Sequence, residues 1–419
     1  LQFKIDIPRL HLDEVARALP DTLPSEVRGN IAIRGSLPEP QIVSRLTYAG
    51  ARIDTDVSAQ LRKSLPHYSA KLNIQNLDVS RFAPDLKGLI TTRVTLDGKG
   101  FAEQDRQARL NVNVNSDAFT LAPNLTAHIR ADLQGPAVNL QEMQVQSVPV
   151  VFNAKGSLSA SRTASLNYTL ALGDLTPIRD QLGLDVDAKG KLTGEINGPL
   201  DALQTHAILS LQAWRYATFQ GETLQADLTA NGLPATPQAE VKVRLTGVQG
   251  PSLPASDLQL DGTYQTDQGN FNLTVTEGPF QQTRLAGQAL LRDGQHLSLN
   301  TLRLQRGDWM WANPEPIEIT RTAQGKLDVS QFRLRNNEAE IGMQAHLTPD
   351  GQVNGQIRIH QLRLQPNIQA VAPNATVPDG QLSLNMELGG TLEHPELDGT
   401  LQLDALQWQE NPLGNIKAK

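Results

Sequence analysis

Ile357-Arg358-Ile359-His360-Gln361-Leu362-Arg363-Leu364 reads apolar, polar, apolar, then two residues outside the alternation, then apolar again. Strict alternation puts one face of a strand in apolar surroundings. Two intervening residues shift the parity by one, which turns the rest of the strand to the wrong face. A β-bulge restores the face and bends the strand. The phrase recurs as Ile5-Asp6-Ile7-Pro8-Arg9-Leu10-His11-Leu12 and as Leu72-Asn73-Ile74-Gln75-Asn76-Leu77-Asp78-Val79. Leu170-Ala171-Leu172-Gly173-Asp174-Leu175 is a shorter copy. A bend repeated at corresponding places predicts one long, curved β structure made of repeats.

Working outward, each phrase is followed by a short stretch with helical spacing. These are Leu12 to Leu19, Val79 and Phe82, Thr176 to Leu182, and Pro366 to Val371. None is long enough to stand alone, so each is expected to lie on the sheet. A glycine then restarts strand spacing, at Gly29, Gly88, Gly190 and Gly380. Turns are expected at Gly35-Ser36-Leu37-Pro38, Asp97-Gly98-Lys99-Gly100, Gly198-Pro199-Leu200 and Gly389-Gly390-Thr391-Leu392. A second bulged strand follows in three copies, Leu46 to Ile53, Leu209 to Tyr216 and Leu401 to Trp408, with Val112-Asn113-Val114 in that place in the fourth. The steps from phrase to second strand run 5 to 46, 72 to 112, 170 to 209 and 357 to 401. So narrow a range marks repeat units starting near 5, 72, 170 and 357, with a weaker start at Val243-Arg244-Leu245-Thr246-Gly247-Val248. Short connections such as Asp350-Gly351 and Asp293-Gly294 favour antiparallel pairing.

No linker, charge run or composition shift divides the 419 residues, so 1–419 is expected to be one continuous β-groove. Hydrophobic content is 39% and aromatic content 4%, too little for a core of normal thickness. Thin sheets with one greasy face fit better. The net charge of −7 argues against nucleic acid as a partner. Without cysteine there is neither disulfide nor thiol chemistry. No apolar run reaches the length of a membrane helix. Both ends read as strands cut short, which suggests a piece of a longer protein.

Chemistry-bearing constellations are sparse. The eight histidines never pair at metal-ligand spacing. Asp54/Asp56 and Asp185/Asp187 share strand faces, but as polar positions of an acidic chain. Gly98-Lys99-Gly100 lacks the strand-to-helix context of a phosphate loop. Neither an enzyme nor a cofactor is expected. Trp309-Met310-Trp311 puts two indoles on one face, read as a local packing cluster before a lipid contact.

The order of bulged strand, short helix, Gly-led strand, turn and second strand resembles the AsmA-like, TamB-type periplasmic proteins. Thr391-Leu392-Glu393-His394-Pro395-Glu396-Leu397-Asp398-Gly399-Thr400-Leu401 carries it best. Gly35 to Pro40, Gly198 to Asp201 and Arg306-Gly307-Asp308-Trp309 echo it. The resemblance implies an all-β, mostly antiparallel, elongated and curved sheet folded into a taco-like groove with an apolar interior, interrupted by short helices. It also implies periplasmic location, an inner-membrane anchor outside this segment, an Omp85-type (TamA-like) outer-membrane partner, and phospholipid movement between the membranes. One apolar face with few aromatics to fill it points the same way without the family. The expected lining for acyl chains is Leu110, Val112, Val114, Leu170, Leu172, Val241, Val243, Phe271, Leu273, Val275, Ile357, Ile359, Leu382, Leu384 and Met386. The alternatives are a dry sandwich core filled by the same residues, a scaffold that pairs its sheet edge with strands of outer-membrane proteins, and an adhesin-like solenoid.

Overall fold

The structure, a computed structural model, describes every residue except 1, 12–25, 49, 82–86, 117–121, 176–178, 180–182, 184, 252, 292–293, 373 and 410. The described residues form 27 strands and little helix. They divide into two units, 1–218 with 229–235, and 219–228 with 236–419; the strand Phe219–Pro234 is shared between them.

In the first unit thirteen strands, from Gln2–His11 to Ala202–Tyr216, each pair antiparallel with the next in sequence. The second unit repeats this meander from Gln238–Gly250 to Asn411–Ala418. It departs once: Gly294–Arg306 pairs with Ile317–Thr322 along one half and with the short strand Trp309–Ala312 along the other. The all-β, antiparallel expectation holds in both units.

The bulges fall where the parity argument put them. Register shifts lie between Ile7 and Leu10, Ile74 and Leu77, Leu245 and Val248, and Ile359 and Leu362. The extra residue takes left-handed backbone at Asn76 (φ 57), Gly247 (φ 61) and Gln361 (φ 48). Two second strands are bulged as expected, with Ala213 (φ 49) and Ala405 (φ 51) at the irregularities. Gly29 shows why a glycine restarts the strand: its φ is +147, and a Cβ there would lie 2.1 Å from the Arg45 carbonyl oxygen.

Three expectations fail. Leu46 to Ile53 is a hairpin and not a bulged strand, because Tyr48 pairs with Ala51 across a connection ending at Gly50 (φ +84). The phrase at Leu170 has no bulge, since its strand, Thr163–Leu172, ends before Gly173. Gly98 is not a turn residue; the strand Leu89–Lys99 runs through it, and the Tyr68 ring fills the space its missing side chain leaves. Of the expected helices, Leu364–Val371 is present and Val79–Arg81 is one 3-10 turn. Leu12 to Leu19, Phe82 and most of Thr176 to Leu182 lie outside the described residues, as does Asp293.

Packing is thin. The accessible surface is 25566 Å². A compact globule of this mass exposes about 16,000 Å², and two globules of half the mass about 19,000 Å². Among the described residues nine of the sixteen buried apolar ones are alanines, whose side chains lie almost flush with the backbone. Among the described residues a cluster with bulk lies in the second unit, around Trp311, Leu334 and Ala339.

Candidate functional site

The register aligns the apolar positions of successive strands into rows. In the first unit one row runs Ile42, Val57, Ala70, Leu96, Leu110, Ala131, Leu140. Beside it run Leu72, Val94, Val112, Ile129 and Met143. A third row crosses the unit: Leu46, Ile53, Ile74, Thr92, Val114, Ala127, Val145, Phe152, Leu170, Leu192, Leu209. Val114 and Leu170, more than fifty residues apart, thus share one line. Leu172 sits next over, between Val150 and Gly190.

The second unit does the same. Val241, Gly262, Phe271, Gly287, Leu299 and Ile317 form one row. Val243, Leu260, Leu273, Leu285 and Leu302 form the next, and Val275 faces Leu258. Further along, Ile357 pairs with Met386, Ile359 with Leu384, and Leu362 with Leu382.

Fourteen of the fifteen expected lining residues are half-buried; Val275, at 6% exposure, is buried. Side chains in a dry sandwich core are nearly all closed off. These are only partly closed off.

On the opposite face one row is polar without a break over ten strands. Asn30, Arg45, Asp54, Asn73, Arg93, Asn113, His128, Gln144, Asn153 and Thr169 stand in one row. Three histidines meet cross-strand carboxylates, one in the first unit and two in the second. His296 Nε2 is 2.9 Å from Glu318 and His128 Nε2 is 3.7 Å from Glu142, while His346 bonds Asp328 directly. Asp328 is held below the usual carboxylate value, first by its hydrogen bond from His346 and then by Lys326. Among the described residues no group of histidine and acid side chains could hold a metal ion. One of the two acid pairs is engaged elsewhere: Asp54 binds Arg52 at 2.8 Å and Asp56 accepts from Gln41 at 3.1 Å. A hollow of the first unit, about 830 Å³, is lined by Ser58, Ser69, Asp97, Arg109 and Asp132 among others, and the Arg109–Asp132 ion pair makes it a poor apolar site.

Two features of the apolar face were not read from sequence. Ser44 and Thr55 interrupt a row and satisfy each other, Oγ to Oγ1 at 2.7 Å. The second is the setting of the tryptophan pair. Trp309 and Trp311 both donate their indole N–H to Asn367 Oδ1, each at 2.8 Å, and Trp311 is buried. Arg306 donates to the Ala370 carbonyl and lies over the Phe280 ring. The Arg306 to Trp311 stretch thus docks the helix Leu364–Val371 on the sheet. The expected packing cluster is what is found.

The class is that of antiparallel β proteins built from bulged repeats, with one apolar and one polar face. The family model described as TamB, N-terminal domain matches residues 44–352, which is 309 of 419 residues. The chain belongs to the TamB family of cell-envelope proteins. The match includes Gly198 to Asp201 and Arg306 to Trp309, and it runs through the stretch around 243 where the repeat is weakest in sequence. No solved structure matches the chain. Among the described residues no helix is long and apolar enough to cross a membrane.

Proposed function

We propose that the apolar rows are a lane for phospholipid acyl chains, and that this chain is part of a non-enzymatic periplasmic bridge carrying lipid between the inner and outer membranes. The supporting observation is the half-buried state of fourteen of the fifteen expected lining residues, with an unbroken polar row on the opposite face of the first unit. Exposing one chain of about 16 carbons to water costs roughly 13 kcal/mol at ~0.8 kcal/mol per CH₂. A lane that keeps the chain covered step by step lowers that barrier. It needs no specific residue, which fits a face of interchangeable Leu, Ile and Val. TamB-family proteins work with Omp85-type partners, and a TamA-like protein is the partner proposed here.

Strand addition to outer-membrane proteins is the second reading. Its motive is physical: an exposed sheet edge is a template for strand pairing. Organic extraction of the purified chain separates the two. Co-purifying phospholipid supports the lane. A folded, lipid-free protein that captures client strands supports the scaffold and sinks the lane.

A further inference from the structure

We propose that the cavity beside the helix Leu364–Val371 reads the headgroup of a zwitterionic, ammonium-bearing phospholipid; this rests on the acyl-lane reading and adds selectivity to it. The cavity holds about 470 Å³, within the range of small-ligand sites. Trp309, Ala339 and Pro366 line it. Trp309 and Ala339 also pack in the cluster containing Ile341 and Leu362, where the row through Ile359 and Leu384 begins. A lipid with its chains in that row brings its headgroup here.

The charges around the cavity are arranged for a zwitterion. Asp308 and Glu338 come from two hairpin tips, and neither has an ion-pair or hydrogen-bond partner among the described residues. Arg363 also lines the cavity, with only a long 3.4 Å contact to Asp379 and 63% of its side chain exposed. The carboxylates suit an ammonium group and the guanidinium suits a phosphate. The Trp309 N–H is already taken by Asn367, so what the ring offers a ligand is π surface, which attracts ammonium. An anionic glycerol headgroup would meet two carboxylates with nothing to neutralise them.

The test loads the full chain from vesicles of equal phosphatidylethanolamine and phosphatidylglycerol and weighs the bound lipid by mass spectrometry. Wild type is expected to enrich phosphatidylethanolamine roughly two- to fivefold, the scale of partly exposed charge contacts. The double variant Asp308→Asn with Glu338→Gln is expected to carry as much lipid with no enrichment. Arg363→Gln is expected to weaken the enrichment. Bound lipid at the input ratio in wild type overturns the headgroup site and leaves the lane standing. Undiminished enrichment in the double variant also overturns it. A wild type that takes up no lipid overturns the lane itself. Calorimetric binding of soluble glycerophosphoethanolamine, without lipid enrichment, would make the ligand a free phosphoamine and overturn the lipid version.

Discussion

Asn367 holds two indoles through one oxygen, while its own amide donates to the Arg363 carbonyl at 2.7 Å. Removing that oxygen leaves the buried Trp311 N–H unsatisfied. Asn367→Ala is therefore expected to cost the second unit about 1–3 kcal/mol. Asn367→Asp keeps an acceptor and should recover most of it. Urea unfolding followed by tryptophan fluorescence checks both; an unchanged midpoint in the alanine variant contradicts the docking role. The sequence makes the Trp pair visible, because alternation puts both on one face. It hides Asn367, which lies more than fifty residues away in a different kind of element. Asp328 gives a second prediction at this scale. A carboxylate depressed in the folded state adds stability above its unfolded value, near 3.8, and loses it as pH falls through the folded value. What this contact adds to the pairing of Leu327–Asn336 with Ala339–Leu347 should therefore fade as the pH falls below about 4. In His346→Ala the Asp328 titration should move up toward 3.8, read by carboxyl NMR; no movement contradicts the assignment.

At the scale of the element, the bulge is the unit of construction. Asn76 sits at φ 57, where a β-branched side chain is strained. Asn76→Val should destabilise the first unit by about 1–2 kcal/mol, and Asn76→Gly should not. Equal midpoints in thermal unfolding would remove the bulge from the account. Bulges were legible because parity is arithmetic: an apolar face kept across two extra residues leaves one geometric solution. The same arithmetic applies to Leu327-Asp328-Val329-Ser330-Gln331-Phe332-Arg333-Leu334, which lies outside the repeat starts. Its bulge lies between Val329 and Phe332, with Gln331 at φ 56. What misled at Leu46 to Ile53 was Gly50: a glycine can end a hairpin or serve a bulge, and only pairing distinguishes them. The phrase at Leu170 failed for a related reason. Its parity shift falls after the strand has ended, where no partner enforces a face.

For each unit as a whole, the claim is that one face is for cargo. The alternating residues made the two faces legible, and the rows follow once strands pair in sequence order. Half-burial was not legible, because a filled core and an open lane use the same side chains. The Ser44–Thr55 interruption was hidden for the same reason, since its two hydroxyls matter only when the strands pair. Leu384→Arg places a charge in a row and should abolish lipid loading of the second unit. Asn385→Arg, exposed on the other face, should leave it intact. Ser383 is a poorer control, because its hydroxyl accepts the Gln361 amide at the bulge. The most direct measurement is photocrosslinking in the envelope, with the crosslinker at Val94 or Leu384 and, for comparison, at Arg93 or Asn385. The account predicts phospholipid adducts at Val94 and Leu384 and none at Arg93 and Asn385. Adducts of equal yield at all four positions, or none at the two apolar ones, would contradict it.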